Sequence, residues 1–272
     1  MKKNIIVVLL LSISSFSIAA ETDSKPAEAI KAPSILQYIE QPAEGSTESK
    51  ASASMLISDC IARFPPEELQ LSGRLTKRRR YGIEMAEFDF VANVCWGTAE
   101  PYATYRFYSL KGELVDNVTI KRNAEGKISL SRDMKTPAGA QIPAPKVNDT
   151  VLGSDVTWID ATMDFLWWKN PELVGEGDVK GRDCDIIKLT PPTATQSCSF
   201  GKVWLDKAQR VLMQATQNDS TGNETRRLWV RAVQKLEVAE GDERWVIKDL
   251  EVETTGSGHR TRLHFDDVKI VK

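Results

Sequence analysis

The clearest periodic signal in the chain has a period of two. Phe88, Phe90, Ala92, Val94 and Trp96 line one face of an extended segment, and Glu87, Asp89 and Asn93 line the other. Such alternation predicts a β-strand with one buried and one wetter face. The pattern starts near Leu69. It recurs in the aromatic-rich stretch 102–110, in 114–121 after the Lys111-Gly112 turn, and in a shorter strand introduced by Glu125-Gly126. Pro137, Pro143 and Pro145 then mark residues 136–145 as a long loop. After Gly175-Glu176-Gly177 the pattern resumes over 178–180, 184–189, 200–205, 211–217, 226–238, 244–253 and 262–271, with turn residues between the segments. Closely spaced hairpins without long intervening helices predict an antiparallel sheet of about ten strands, not βαβ units.

Two segments follow a helical spacing instead. Residues 52–64 place Met55, Leu56, Cys60, Ile61 and Phe64 ahead of Pro65-Pro66, and proline ends a helix there. Residues 156–168 are the most aromatic stretch of the chain and fit a short helix better than a strand. The predicted fold class is therefore mainly β (α+β).

The start of the chain has another character. Lys2 and Lys3 precede the apolar run 5–11, and Ala19-Ala20 precede a polar stretch. This predicts a signal peptide over residues 1–20, cleaved after Ala20. A run this short does not cross a bilayer as a helix, which takes about 20 residues. The lysine-led leader points to a bacterial periplasm. Residues 21–50 are rich in Ala, Glu, Ser, Pro and Lys and read as a flexible linker, with room for a short helix near 35–39. Residues 51–272 are expected to form a single domain.

Composition narrows the chemistry. The net charge of -2 leaves no global field for nucleic acid or an anionic membrane. No nucleic-acid partner is expected. Cys60, Cys95, Cys184 and Cys198 form an even set in an oxidising compartment, which suggests two disulfides among three connectivities. Proximity favours Cys184–Cys198 and leaves Cys60–Cys95, and the alternative is four buried thiols. No CxxC occurs and His259 and His264 are the only histidines, so no metal or other cofactor is expected. Neither histidine falls in a triad-like pattern, and Asp178, Asp183 and Asp185 lack the calcium-loop spacing. No catalytic set stands out, so the chain does not read as an enzyme. The run Lys77-Arg78-Arg79-Arg80 suits lipid headgroups, an acidic partner or a solvated strand end. Arg226, Arg227 and Arg231 around Trp229 suit a cation–π patch or cross-strand charge pairing.

Three pieces carry a family resemblance. They are Asp160-Ala-Thr-Met-Asp-Phe-Leu-Trp-Trp168, the stretch from Gly175 to Leu189 (GEGDVKGRDCDIIKL), and Gly201-Lys-Val-Trp-Leu-Asp206 with its return Val211-Leu-Met-Gln-Ala215. Together the region 151–261 resembles the outer-membrane lipoprotein-sorting proteins, the LolA-like group of periplasmic carriers. The motifs describe packing and turns rather than chemistry. The resemblance implies a curved antiparallel sheet forming an incomplete β-barrel, with short helices covering its open side. A sheet this long with bulky inner residues must curl, around either side chains or a ligand. The implied ligand is lipid or a lipoprotein's acyl chains, exchanged with a membrane-associated donor or acceptor protein. Candidate cavity residues are Phe88, Phe90, Val94, Trp96, Tyr105, Phe107, Trp158, Phe165, Leu166 and Trp204, and for any one of them taken singly an ordinary core position is the favoured reading. A non-catalytic envelope sensor or scaffold that binds a protein partner is the alternative.

Overall fold

A computed structural model describes residues 47–79, 81–239 and 242–271. The period-two segments become twelve strands. A first meander holds β1 (Leu69–Arg79), β2 (Glu84–Cys95), β3 (Tyr102–Tyr108), β4 (Leu114–Arg122) and β5 (Ile128–Arg132). A second holds β6 (Lys169–Val179), β7 (Arg182–Thr190), β8 (Phe200–Asp206), β9 (Leu212–Asn218), β10 (Glu224–Ala239), β11 (Asp242–Thr254) and β12 (His259–Ile270). Antiparallel pairing of β1 with β12 joins them into one sheet, ordered β5-β4-β3-β2-β1-β12-β11-β10-β9-β8-β7-β6. The edge strands β5 and β6 do not pair, so the sheet is an open, incomplete barrel.

Most boundaries lie close to the predicted ones, and β6 is the main exception. It starts at Lys169, not near Asp178, and carries Pro171, Gly175 and two register shifts against β7. Proline removes a ladder donor and is tolerated on an edge strand, which is where β6 lies. In β1 the register against β12 slips between Ser72 and Gly73. A Cβ at Gly73 would sit 2.0 Å from the His264 carbonyl oxygen, so the close approach of these two backbones requires glycine.

The degree of curl follows from two contacts. Arg122 on β4 and Arg226 on β10 lie six strand spacings apart in the sheet. Laid flat, that is about 29 Å at roughly 4.8 Å per strand. Yet they pair with Asp164 and Asp160, four positions apart in one short segment. One face of the sheet must therefore wrap around that segment. Leu71, Leu75, Phe90, Tyr105, Val118, Ile187, Val203, Leu228, Val252 and Phe265 all join a single core on this inner face.

Helix α1 (Thr47–Ile61) begins five residues before the predicted start, so the end of the expected linker is helical. The signal peptide, the rest of the linker and the short helix near 35–39 lie outside the described residues. Ala53, Leu56, Ile57 and Cys60 turn α1 into the core, and the Ser49 hydroxyl donates to the Leu173 carbonyl on β6. Residues 156–168 are not one helix. Helix α2 (Trp158–Thr162) ends at Met163, whose φ of 53° is left-handed, and a 3-10 turn (Asp164–Trp167) follows.

The cysteines correct a second expectation: all four are free and buried. Cys184 stands opposite Asp206 at one end of β8, whereas Cys198 precedes the other end. Eight residues of strand separate those points, roughly 26 Å, and a disulfide needs Cα atoms within about 7 Å. Cys95 donates to the Pro66 carbonyl, while Cys60 faces the backbone of Leu212. Burial pushes the Cys60 thiol up to about 12 and those of Cys184 and Cys198 to about 11. Raised thiol values favour the neutral form. Their contribution to stability is whole below the unfolded value of about 8.5 and is lost as pH rises from there through the folded values. A thiol reagent at pH 8 should therefore label almost none of the native protein and all four sites after denaturation. Two or fewer labelled sites in reductant-free denaturant would show that disulfides form.

Candidate ligand site

The inner face of the half-barrel is concave and largely apolar, and residues 155–168 fill it. Trp158, 1% exposed, packs its ring on Tyr105 and Phe107 at centroid distances of 6.0 and 6.2 Å. Phe90 continues the cluster against Tyr105, Phe107 and Phe265. The Tyr105 hydroxyl donates to the Ala161 carbonyl at 2.5 Å, and burial pushes this phenol above its ordinary range. Phe165 and Leu166 are buried in the same core. Trp168 lies on β8, where a Cβ at Gly201 would come 2.9 Å from its ring. The Gly201→Val variant should therefore lose about 1–3 kcal/mol through overpacking. Chemical denaturation checks this, and an unchanged midpoint would show that Trp168 is free to move aside.

Three carboxylates bolt this plug to the sheet. Asp155 accepts from the Thr261 hydroxyl at 2.9 Å and sits 2.8 Å from His259 Nδ1, both on β12. Asp160 accepts from Arg226 of β10, which also donates to the Asp155 carbonyl and to Thr254. Asp160 further closes the capping box of α2, accepting from Thr157 N at 2.8 Å. Asp164 pairs with Arg122 of β4 and accepts from Trp168 Nε1 at 3.1 Å. Burial lowers the Arg122 guanidinium from its usual range, and that group stacks 5.2 Å over Trp167. These groups are spent on holding the plug. Thr261 is fully buried and its hydroxyl donates to Asp155, so His259, Asp155 and Thr261 present no accessible nucleophile.

Two small voids lie beside the plug among the described residues. One of about 20 Å³ lies by Trp96, Arg122 and Trp167, and one of about 10 Å³ by Asp160, Phe165 and Arg226. Each holds about a water molecule. On the solvent side of Arg226 a polar groove of about 590 Å³ opens, lined by Thr157, Thr195, Ser197, Gln217, Asp219 and Thr225.

Of the candidate residues, Phe90, Val94, Trp96, Tyr105, Phe107, Trp158, Phe165 and Leu166 meet in this core, and Phe88 packs at its margin. Trp204 does not. It turns to the opposite face and packs with Val179, Cys184, Val211 and Met213. Its neighbours Val203 and Leu205 face the core instead, as alternation requires. Sequence reasoning missed the three carboxylates and their partners. The readable signal was Thr157-x-x-Asp160, a capping-box spacing, inside an otherwise apolar segment. Of the weighed basic cluster, Arg227 stacks 5.4 Å over Trp229, Arg231 pairs across strands with Glu251, and Arg226 holds the plug.

The open antiparallel half-barrel has counterparts among solved structures. A family model described as an uncharacterized protein matches residues 139–272. No curated protein matches the chain. Among solved structures, a DUF1329 family protein from Desulfovibrio piger aligns with a TM-score of 0.67 at 17% identity, covering 82% of this chain and 93% of that one. An outer membrane lipoprotein-sorting protein domain from Vibrio parahaemolyticus gives 0.67 at 12%, over 81% and 93%. A LolA superfamily protein from Nitrosomonas europaea gives 0.60 at 14%, over 81% and 94%. The chain has the fold of the LolA-like lipoprotein-sorting proteins.

Proposed function

We propose that this protein is an exported, periplasmic carrier for lipid or lipoprotein acyl chains, acting without catalysis in outer-membrane lipoprotein sorting. The observation that carries the reading is the plug. The concave face is largely apolar, and the segment on it is fastened at separate points by Arg122, Arg226, His259 and Thr261 of the sheet. Left-handed residues bracket that segment, Leu152 and Gly153 before it and Asn170 after it. Such conformations are costly outside glycine and cluster at switch regions and ligand clamps.

The energetics allow an exchange. An acyl chain of about sixteen carbons gains roughly 12 kcal/mol on burial, at about 0.8 kcal/mol per CH₂. Leaving one member of a buried pair uncompensated costs about 3–5 kcal/mol. Two such pairs consume most of that gain, so the plug must shift as a unit and keep its rings on the acyl chain. The polar groove beyond Arg226 suits the headgroup or peptide end of such an amphiphile. Release then follows transfer to a membrane-associated acceptor with a better-fitting cavity.

A protein-binding envelope sensor or scaffold is the second reading, and the filled concave face favours it. Native mass spectrometry of protein taken from the periplasm, followed by solvent extraction, separates the two. Co-purifying phospholipid or acylated peptide supports the carrier. A clean apo mass with no uptake of a fluorescent fatty acid moves the assignment to the scaffold.

A further inference from the structure

We propose that the outer face of the sheet beside the β1–β2 hairpin docks on a membrane surface presenting anionic phospholipid headgroups. This face is opposite the plugged interior, so the proposal goes beyond acyl carriage and stands or falls separately from it.

On β1, β10, β11 and β12, side chains pointing away from the core wall a groove of about 340 Å³. Its walls include Arg78, Arg231, Arg260 and Arg262, with Thr76 at the floor and Arg79, whose β12 partner His259 faces the plug, at the hairpin end. Carboxylates are present but outnumbered. Asp249 pairs with Arg262, and Glu251 is shared by Arg260 at 2.9 Å and Arg231 at 3.5 Å. Glu84 pairs with Arg78 at 2.9 Å, but Arg78 Nε has no protein partner. Arg79 is exposed and pairs with no carboxylate among the described residues. Lys180 lies close enough to Arg231 to feel its charge, and Glu253 lies close to Arg260. With Arg74, Glu87 and Asp89 beside the Thr76 floor, seven cations face six carboxylates, Asp249, Glu251, Glu84, Glu253, Glu87 and Asp89, a surplus of one positive charge. Guanidinium forks bind phosphate oxygens in pairs.

The second observation is apolar. The hairpin at the end of this groove exposes Tyr81 (94%), Ile83 (62%) and Met85 (47%). It turns through Gly82 at φ 91°, with Gly82 N donating to the Arg79 carbonyl. Burying such side chains in a headgroup layer while arginines reach the phosphates is the arrangement of a peripheral membrane contact. With a net charge of -2 the attraction is local, acting within about 10 Å at 0.1 M salt.

Co-sedimentation of the full chain with vesicles tests this. We expect binding to vesicles containing phosphatidylglycerol, little to phosphatidylcholine alone, and weakening with salt. Arg79→Glu combined with Arg231→Gln should lower partitioning at least about tenfold, because each basic residue near an anionic surface contributes several-fold. Tyr81→Ser with Ile83→Ser should lower it several-fold and leave fatty-acid uptake and the melting curve unchanged. Equal binding to both vesicle types, no binding, or binding indifferent to both variant pairs overturns the proposal. Binding of inorganic phosphate without binding to vesicles also overturns it, and makes the groove a site for free phosphate.

Discussion

Replacing Trp158 by alanine should cost about 3–5 kcal/mol of stability, the range for deleting a large buried aromatic. The ring is 1% exposed and touches Tyr105 and Phe107, so little can collapse into the space it leaves. Trp158→Phe should cost far less, because it keeps a ring in the aromatic cluster and its indole N–H has no protein partner to lose. The carrier reading adds a second expectation. The cavity left by Trp158→Ala lies where an acyl chain would sit, so the variant should bind a fluorescent fatty acid more tightly while melting at a lower temperature. A scaffold with a closed core predicts the loss of stability without the gain in binding. Denaturant unfolding and a fatty-acid titration on the same preparation separate these outcomes.

Removing Arg226 has a comparable effect for a different reason. Its guanidinium holds the Asp160 carboxylate, the Asp155 carbonyl and the Thr254 hydroxyl. Asp160 is 4% exposed. Arg226→Met leaves that carboxylate buried without its charge partner, at a cost of about 3–5 kcal/mol. Part of this should return in the double variant Arg226→Met/Asp160→Leu, because a buried pair replaced by apolar groups is often neutral. Asp160 is also the N3 member of the α2 capping box and accepts from the Thr157 amide, so recovery is incomplete by about 1 kcal/mol. If the double variant is no more stable than Arg226→Met alone, the ion pair is not what holds the plug.

The strands were legible because alternation survives in a sheet with one buried face. Phe88 to Trp96 shows it plainly. β6 was illegible because Pro171 and its glycines erase the alternation, and an edge position tolerates them. Trp204 was misplaced because Val203, Trp204 and Leu205 are all apolar, so local pattern does not say which of them faces inward. The disulfides were expected from cysteine count and compartment, neither of which fixes a separation in space. The plug was visible as an aromatic segment, but its fastening was not. Asp160 and Arg226 are 66 positions apart, and Asp155 and Thr261 are 106 apart. Such partners are set by the curl of the sheet, which follows from the joining of two meanders through β1 and β12.

Acyl carriage requires an incoming chain to displace the plug of residues 155–168. Hydrogen exchange with and without a triacylated lipopeptide tests it most directly. Displacement should speed exchange at the amide of Asp155, which now donates to the Thr261 hydroxyl of β12, and at those of Trp158 and Ile159, which donate to Asp149 and Val147 outside the segment, while β1, β2 and β3 stay protected. Unchanged exchange in 155–168 with saturating lipopeptide would contradict it and leave the interior a permanent core.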